Sequence, residues 1–154
     1  MSSRVLVALR VRASPERAFT AFIDEIGQWW QPNALFQFTP GRNGTLAFDD
    51  GRLVETYDDG TDFVVGVVKE WDPPRKLVLS WRQAGFEPDQ ETELHVRFDD
   101  TDDGRTRVTV EHYGWDTIPG EHVSRHGFPL PVFQIRFAEW WQAQLRALAR
   151  HDTG

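Results

Sequence analysis

The residue best placed for chemistry in this 154-residue chain is His112. Val108, Val110 and His112 are spaced by two residues, so in a strand their side chains share one face. An imidazole on an apolar face can orient a ligand carbonyl or accept a proton near neutral pH. Catalysis would need a second polar group in contact with the ring, and the alternation around Glu55 and Tyr57 leaves their facing open. The alternative interpretation is a buried histidine whose hydrogen bonds are satisfied.

Two other polar stretches are weak candidates for a metal site. His122 and His126 are four residues apart, but Gly127 and the preceding Pro119-Gly120 disfavour a stable helix there. The segment 99–104 has some of the acidic spacing of a calcium loop, although Val110 stands where a bidentate glutamate belongs. We interpret it as a hairpin turn. The sequence therefore predicts no metal and no cofactor, and it contains no serine-hydrolase, P-loop or dinucleotide-binding motif.

Large aromatic side chains are the main candidates for binding, since the chain has seven tryptophans and eleven phenylalanines. An indole combines a large apolar area with one N–H donor, so it suits a core and a binding pocket alike. The predicted ligand-binding residues are Trp30, Phe38, Phe48, Val65, Trp81, His112, Phe133, Phe137, Trp140 and Trp141. The alternative is that these side chains only fill the core.

A long C-terminal helix must position four of these rings. Over 131–151, Phe133, Phe137, Trp140 and Trp141 fall on one broad apolar face with Leu145 and Leu148, and the charged side chains fall on the other. A shorter helix is expected after Ser14, which can cap it, with Pro15 in its first turn. We expect Gly27 to interrupt this helix, and residues 28–32, which include Trp29-Trp30, to begin a short second piece or a loop.

The remaining pattern predicts strands separated by turns. The predicted strands are 4–12, 45–48, 52–57, 63–71, 75–83, 91–99 and 105–113. Asp-Gly turns join several of them, which indicates an antiparallel meander with neighbouring strands paired in order. The predicted apolar face includes Leu46, Phe48, Val65, Val67, Leu77, Leu79, Trp81, Leu94, Val96, Phe98, Val108 and Val110. We expect an α+β fold in which about seven strands curve around the C-terminal helix, leaving a ring-lined cavity.

Composition limits the partners. The net charge of −7 argues against nucleic acid or an anionic membrane surface. The apolar runs are too short for membrane insertion, and the N-terminus lacks a signal-peptide pattern, so we expect a cytoplasmic protein. The absence of cysteine excludes disulfides and thiol chemistry. The length fits a single domain over 1–154.

Three stretches resemble a known family. They are 13–19 with Trp29-Trp30 after it, the segment 71–81 reading WDPPRKLVLSW, and His112-Tyr113-Gly114-Trp115. The order of elements resembles the helix-grip fold of the START-like (SRPBCC) superfamily, and the local motifs resemble its AHSA-like family, named after an activator of a heat-shock ATPase. The similarity runs over about 4–150. The resemblance implies a carrier or sensor of apolar small molecules.

These observations leave three hypotheses about function. The first is a binding module for an apolar, lipid-like or aromatic molecule, with 114–130 as a lid over the cavity mouth. The second is an enzyme of cyclase, dehydratase or hydrolase type that uses the same cavity, with His112 as base. The third is a protein-interaction role, as a chaperone partner, in stress response or as a homodimer. Val132 and Ile135, off the main helix face, hint at such a surface.

Overall fold

The computed structural model describes residues 4–31, 38, 42, 44–82, 90–115, 118 and 129–153. The strands are β1 (Arg4–Val11), β2 (Thr45–Asp49), β3 (Arg52–Thr56), β4 (Asp62–Asp72), β5 (Lys76–Trp81), β6 (Thr92–Thr101) and β7 (Arg105–Tyr113). The helices are α1 (Pro15–Asp24), α2 (Ile26–Trp29) and α3 (Leu130–Thr153). The predicted α+β architecture is confirmed, with a curved antiparallel sheet, two short helices after the first strand and a long C-terminal helix.

The seven strands form one sheet in the order β1-β7-β6-β5-β4-β3-β2. Strands β2 to β7 follow one another as an antiparallel meander, and β1 pairs with β7. At the β2–β3 turn both Asp50 and Gly51 have positive φ, 52° and 76°. A tight hairpin turn of the favoured hand requires such values at both central residues. The hairpin pairing predicted from the Asp-Gly pairs is therefore confirmed.

Helix α1 begins as the sequence indicates. The Ser14 Oγ accepts a hydrogen bond of 3.1 Å from the backbone N–H of Arg17, and Pro15 occupies the first turn. The expected break at Gly27 is wrong, because the helices separate at Glu25 and Gly27 lies inside α2. A Cβ at Gly27 would lie 2.9 Å from the carbonyl oxygen of Leu46, so glycine is needed here for close packing of α2 on β2.

Helix α3 packs one face on the sheet. The predicted apolar face is buried, from Phe133 to Leu148, and the side chains of Arg136, Glu139 and Arg146 face solvent. Burial of this stripe stabilises the helix more than its intrinsic propensity does. Val132 and Ile135 lie off that face and are 42 % and 63 % exposed.

The side chain of Val67 on β4 faces the other way from the prediction. Val65 is fully buried, but Val67 is 49 % exposed on the outer side of the sheet. The pairing of β3 with β4 shifts register at Leu53, and that irregularity interrupts the simple alternation along β4. The backbone N–H of Val67 donates a hydrogen bond of 2.9 Å to the Ser80 hydroxyl. The assignment of Val67 to the inner face is therefore wrong.

The described residues contain neither a membrane-spanning helix nor a metal-binding group of side chains. None of the helices in these ranges is long and apolar enough to cross a membrane. Within the same ranges, no three histidine, aspartate or glutamate side chains group closely enough to hold a metal ion. Segment 99–104 forms the end of β6 and the hairpin turn to β7, as its interpretation required.

Candidate functional site

Nine rings meet between the sheet and α3, and we refer to them as the ring cluster. Its members are Trp30, Phe38, Trp81, His112, Trp115, Phe133, Phe137, Trp140 and Trp141. Eight of them are at most 5 % exposed, and Trp30 alone among the nine is partly exposed. Of the ten predicted binding residues, eight belong to this cluster.

Three neighbouring strands and two helices bring most of these rings together. Trp81 ends β5 and His112 lies near the end of β7, and the antiparallel strand β6 runs between them. Thr92 of β6 pairs directly with Trp81, so these side chains gather at one end of the sheet. Helix α3 contributes four rings from its apolar face, and Trp30 follows the last residue of α2.

Trp81 lies among several other rings of the cluster. Its ring centroid lies 5.2 Å from Phe38, 5.4 Å from His112 and 5.6 Å from Trp141. Trp30 and Trp140 complete the surroundings at 6.2 and 6.4 Å. Most of these contacts are tilted or edge-to-face, the arrangements that ring quadrupoles favour.

A chain of hydrogen bonds fixes the ring of His112. The Trp141 indole N–H can only donate, and it lies 3.4 Å from His112 Nδ1, so Nδ1 must be the acceptor. The ring proton is then on Nε2, which donates to the Thr92 hydroxyl oxygen at 2.7 Å. The Thr92 hydroxyl in turn donates to the backbone carbonyl of Trp81 at 2.9 Å. Both imidazole nitrogens are therefore occupied.

The environment of His112 also keeps the imidazole neutral. Its side chain is fully buried, and this desolvation, with a smaller contribution from the charge of His95, lowers its pKa to about 3. No carboxylate in the described ranges orients the ring, because its polar contacts are Thr92 and Trp141. The arrangement matches a satisfied core histidine, with no free nitrogen to take up a proton from a substrate.

The indole N–H groups of the buried tryptophans differ in their partners. Trp29 donates to the carbonyl of Ala21 at 2.9 Å, and Trp141 donates to His112. The Nε1 of Trp81 is buried and has no hydrogen-bond acceptor in the described part of the chain. A buried donor without a partner carries the cost of its lost hydration, about 1–3 kcal/mol.

Glu55 and Tyr57, whose facing the sequence left open, both point into the protein and are 5 % and 6 % exposed. The Tyr57 hydroxyl donates to Glu55 at 2.7 Å, and the backbone N–H of Gly44 donates at 3.3 Å. Burial raises the pKa of Glu55 although these hydrogen bonds oppose the shift. Arg42 lies 4.1 Å above the Tyr57 ring. This group ties the residues before β2 to β3 and does not touch His112.

Two predicted binding residues lie apart from the ring cluster. Val65 is fully buried in the core, where its carbonyl accepts from the backbone N–H of Arg82 at 2.7 Å. Phe48 is partly exposed and lines a surface pocket of about 410 Å³ near the β2–β3 turn. That pocket also contains Trp71, which is 54 % exposed and packs one edge against Phe19.

Other sequence-based candidates cannot be placed. The proposed lid over 114–130 and the pair His122 and His126 lie largely outside the described residues. Two members of the site were missed. Trp115 occurs in the His112-Tyr113-Gly114-Trp115 motif and could have been included from it, whereas Thr92 gives no signal before the β6–β7 register is known.

Comparison with known proteins places this arrangement in a family context. The profile of the family described as activator of Hsp90 ATPase homolog 1-like protein matches residues 12–151. No curated protein sequence matches the chain significantly. Solved structures match the fold well.

Three of these structures illustrate the proteins that share the fold. One is an HSP90 activator from Plasmodium falciparum, with 19 % identity, 95 % of this chain and 91 % of that chain covered, and a TM-score of 0.58. Another is the Aha1 dimer from Colwellia psychrerythraea, with 16 % identity, coverages of 97 % and 96 %, and a TM-score of 0.63. The third is DynU16, from the dynemicin biosynthetic locus, with 20 % identity and a TM-score of 0.64. It covers 96 % of this chain but 46 % of that one. At these identities the similarity shows a shared fold.

Proposed function

Since the chain belongs to the family of activator of Hsp90 ATPase homolog 1-like proteins, and a shared fold does not by itself fix a function, we propose a function from the site. The chain binds a neutral, largely aromatic small molecule in the ring cluster. The observation that carries this proposal is the position of Trp30. It is partly exposed, yet its ring lies within 5.3 to 6.2 Å of four buried rings: Phe38, Trp81, Trp140 and Trp141. A guest can therefore reach the buried rings at this edge.

The chemistry of the cluster supports a neutral guest. Its side chains are aromatic, and its one titratable member, His112, is held neutral. An ion would lose its hydration there without a counter-charge, which is costly in an apolar environment. An aromatic guest makes contacts with these rings that resemble the contacts the rings make with one another. The cluster can therefore bind such a guest with little loss of packing.

Ligand binding is tested with the intact chain. Native mass spectrometry of the purified protein shows a co-purifying molecule if one is bound, and thermal shift measures binding of a panel of polycyclic aromatic compounds. We expect saturable binding in the micromolar range and a higher melting temperature, because a ligand that binds the folded state stabilises it. No saturable binding by any compound contradicts the proposal.

An enzymatic role through His112 has less support. Both ring nitrogens are hydrogen-bonded, and the low pKa makes the imidazole a weak base. If turnover of a bound compound is nevertheless found, its rate should show no titration of His112 between pH 5 and 8, because the pKa of this imidazole is lowered to about 3.

Interaction with a chaperone is the second candidate function. The exposed side chains of Val132 and Ile135 at the start of α3 favour it, together with the likeness to a structure named as an HSP90 activator. The test adds the chain in excess to an Hsp90 and measures its ATPase rate. An increase that Ile135→Ser abolishes supports this function, and an unchanged rate contradicts it. Analytical ultracentrifugation of the same sample tests for a homodimer.

A further inference from the structure

The polar chemistry of the guest can be inferred from a donor that the protein leaves unused. Trp81 is 1 % exposed and is surrounded by the rings of Trp30, Phe38, His112, Trp140 and Trp141. Its Nε1–H has no acceptor in the described part of the chain. Most buried polar groups are hydrogen-bonded, so an unused donor inside a proposed binding site requires an explanation.

None of the polar groups around His112 accepts a hydrogen bond from Trp81 Nε1. His112 Nδ1 accepts from Trp141, and Nε2 donates to Thr92. The Thr92 hydroxyl hydrogen is directed to the Trp81 carbonyl, which lies on the backbone of the same residue. These hydrogen bonds link His112, Thr92 and the Trp81 carbonyl to one another, and the indole N–H of Trp81 takes no part in them.

We propose, resting on the function proposed above, that the guest carries a neutral hydrogen-bond acceptor, a carbonyl or ether oxygen, that accepts from Trp81 Nε1. An aromatic ketone or quinone has this chemistry. The acceptor recovers the hydrogen bond that the N–H lost on burial. The oxygen of the guest also loses its hydrogen bonds to water when it enters the site. It therefore strengthens binding only if the site provides a hydrogen-bond donor.

A matched pair of probes separates this inference from the proposed function. Fluorene and 9-fluorenone have the same ring skeleton, and only the ketone has an acceptor. In a site without a donor, the ketone should bind no better than the hydrocarbon. With Trp81 as donor, we expect 9-fluorenone to bind the wild-type chain about five- to tenfold more tightly, as one recovered buried hydrogen bond predicts.

Trp81→Phe removes the donor and keeps an aromatic ring. The smaller ring should weaken the binding of both probes alike, so we expect this variant to lose the preference for 9-fluorenone and to bind the two probes within about twofold of each other. The matched control is Trp71→Phe, which makes the same substitution outside the ring cluster and should keep the preference. Equal affinities of the two probes for wild type, or a preference that survives Trp81→Phe, overturn the inference and leave the proposed function standing. If neither probe binds wild type, both fail.

A spectroscopic measurement on the wild-type chain does not depend on the folding of a variant. In ¹H–¹⁵N spectra, the indole proton of Trp81, assigned through contacts to its own ring, should move further downfield with 9-fluorenone than with fluorene. The Trp29 indole, which donates to Ala21, serves as the internal reference. A Trp81 resonance that responds equally to both probes contradicts a hydrogen bond to the guest.

Discussion

At the scale of single residues, His112 shows how burial decides what a side chain can do. The alternation with Val108 and Val110 indicates an inward-facing imidazole, and the structure has it fully buried. The same burial that makes it a candidate also lowers its pKa to about 3. Its two hydrogen bonds join β7 to β6 and α3. Its evident role is to hold the end of the sheet and the helix together.

This role predicts a dependence of stability on pH. The folded-state pKa of His112 is depressed, so below about 6.5 the unfolded chain binds a proton that the folded chain excludes. The contribution of the neutral His112 to the free energy of unfolding is fully present above pH 6.5 and is lost as the pH falls toward about 3. The expected slope is about 1.4 kcal/mol per pH unit. Urea unfolding between pH 5 and 6.5 measures it, and His112→Gln should remove about this slope. Equal slopes in both proteins contradict the account.

Gly66 provides a second test at this scale. A Cβ there would lie 1.8 Å from the backbone oxygen of Ser80, a contact that requires β4 and β5 to separate. Gly66→Ala should therefore destabilise the fold by about 3 kcal/mol or more. Gly60→Ala is the control, because Gly60 has a φ of +85° but open space around it, so its cost should be about 1–2 kcal/mol. Denaturant melts give the ranking, and a Gly66→Ala variant as stable as Gly60→Ala contradicts the packing.

At the scale of elements, Gln144 joins α3 to the segment after α2. Its buried amide accepts from the backbone N–H of Gln31 at 2.9 Å and donates to the Gln31 carbonyl at 2.7 Å. These two bonds hold the chain next to Trp30, and so they fix the exposed edge of the ring cluster. This polar side chain can lie on the buried face of the helix because both of its polar atoms are hydrogen-bonded.

Gln144→Ala should therefore destabilise the protein by about 1–2 kcal/mol, as expected for the loss of two hydrogen bonds to a backbone that water can still reach. Gln142→Ala is the matched control on the same helix, since the Gln142 side chain is partly exposed and makes no hydrogen bond to another described residue. Its effect should stay within about 0.5 kcal/mol. Thermal unfolding of both variants checks the difference, and equal melting temperatures contradict the role of Gln144.

Elements with strong local signals could be predicted from the sequence. The apolar stripe of α3, the Ser14 cap and the Asp-Gly turns each have a local cause, and the structure confirms them. The errors concern contacts between distant segments. Gly27 lies inside a helix because it packs on Leu46, and Val67 faces outward because the β3–β4 register shifts at Leu53. Neither contact leaves a periodic trace in the sequence.

The candidate site shows the same division. Helical spacing predicted the four rings of α3, and strand alternation predicted Trp81 and His112 as inward-facing. The partners of His112 depend on the pairing of β6 with two strands and on the position of α3. The unused donor of Trp81 likewise follows from packing in three dimensions. A sequence can thus propose which side chains share a face, but not which hydrogen bonds they make.

At the scale of the whole molecule, the chain combines a family fold with an interior rich in tryptophan. The two features have separate consequences. The fold is shared with structures whose names refer to Hsp90 activation and to a biosynthetic locus, so it does not select one activity. The ring cluster is a feature of side chains and not of the fold alone, and the proposed binding of an aromatic guest depends on it.

The most direct test of that claim is a fluorene titration followed through the seven indole N–H signals in ¹H–¹⁵N spectra. We predict saturable shifts for Trp30, Trp81, Trp140 and Trp141, and an unchanged signal from Trp71, which lies in the separate surface pocket. Shifts confined to Trp71, or no saturable shift at any indole, would contradict binding in the ring cluster.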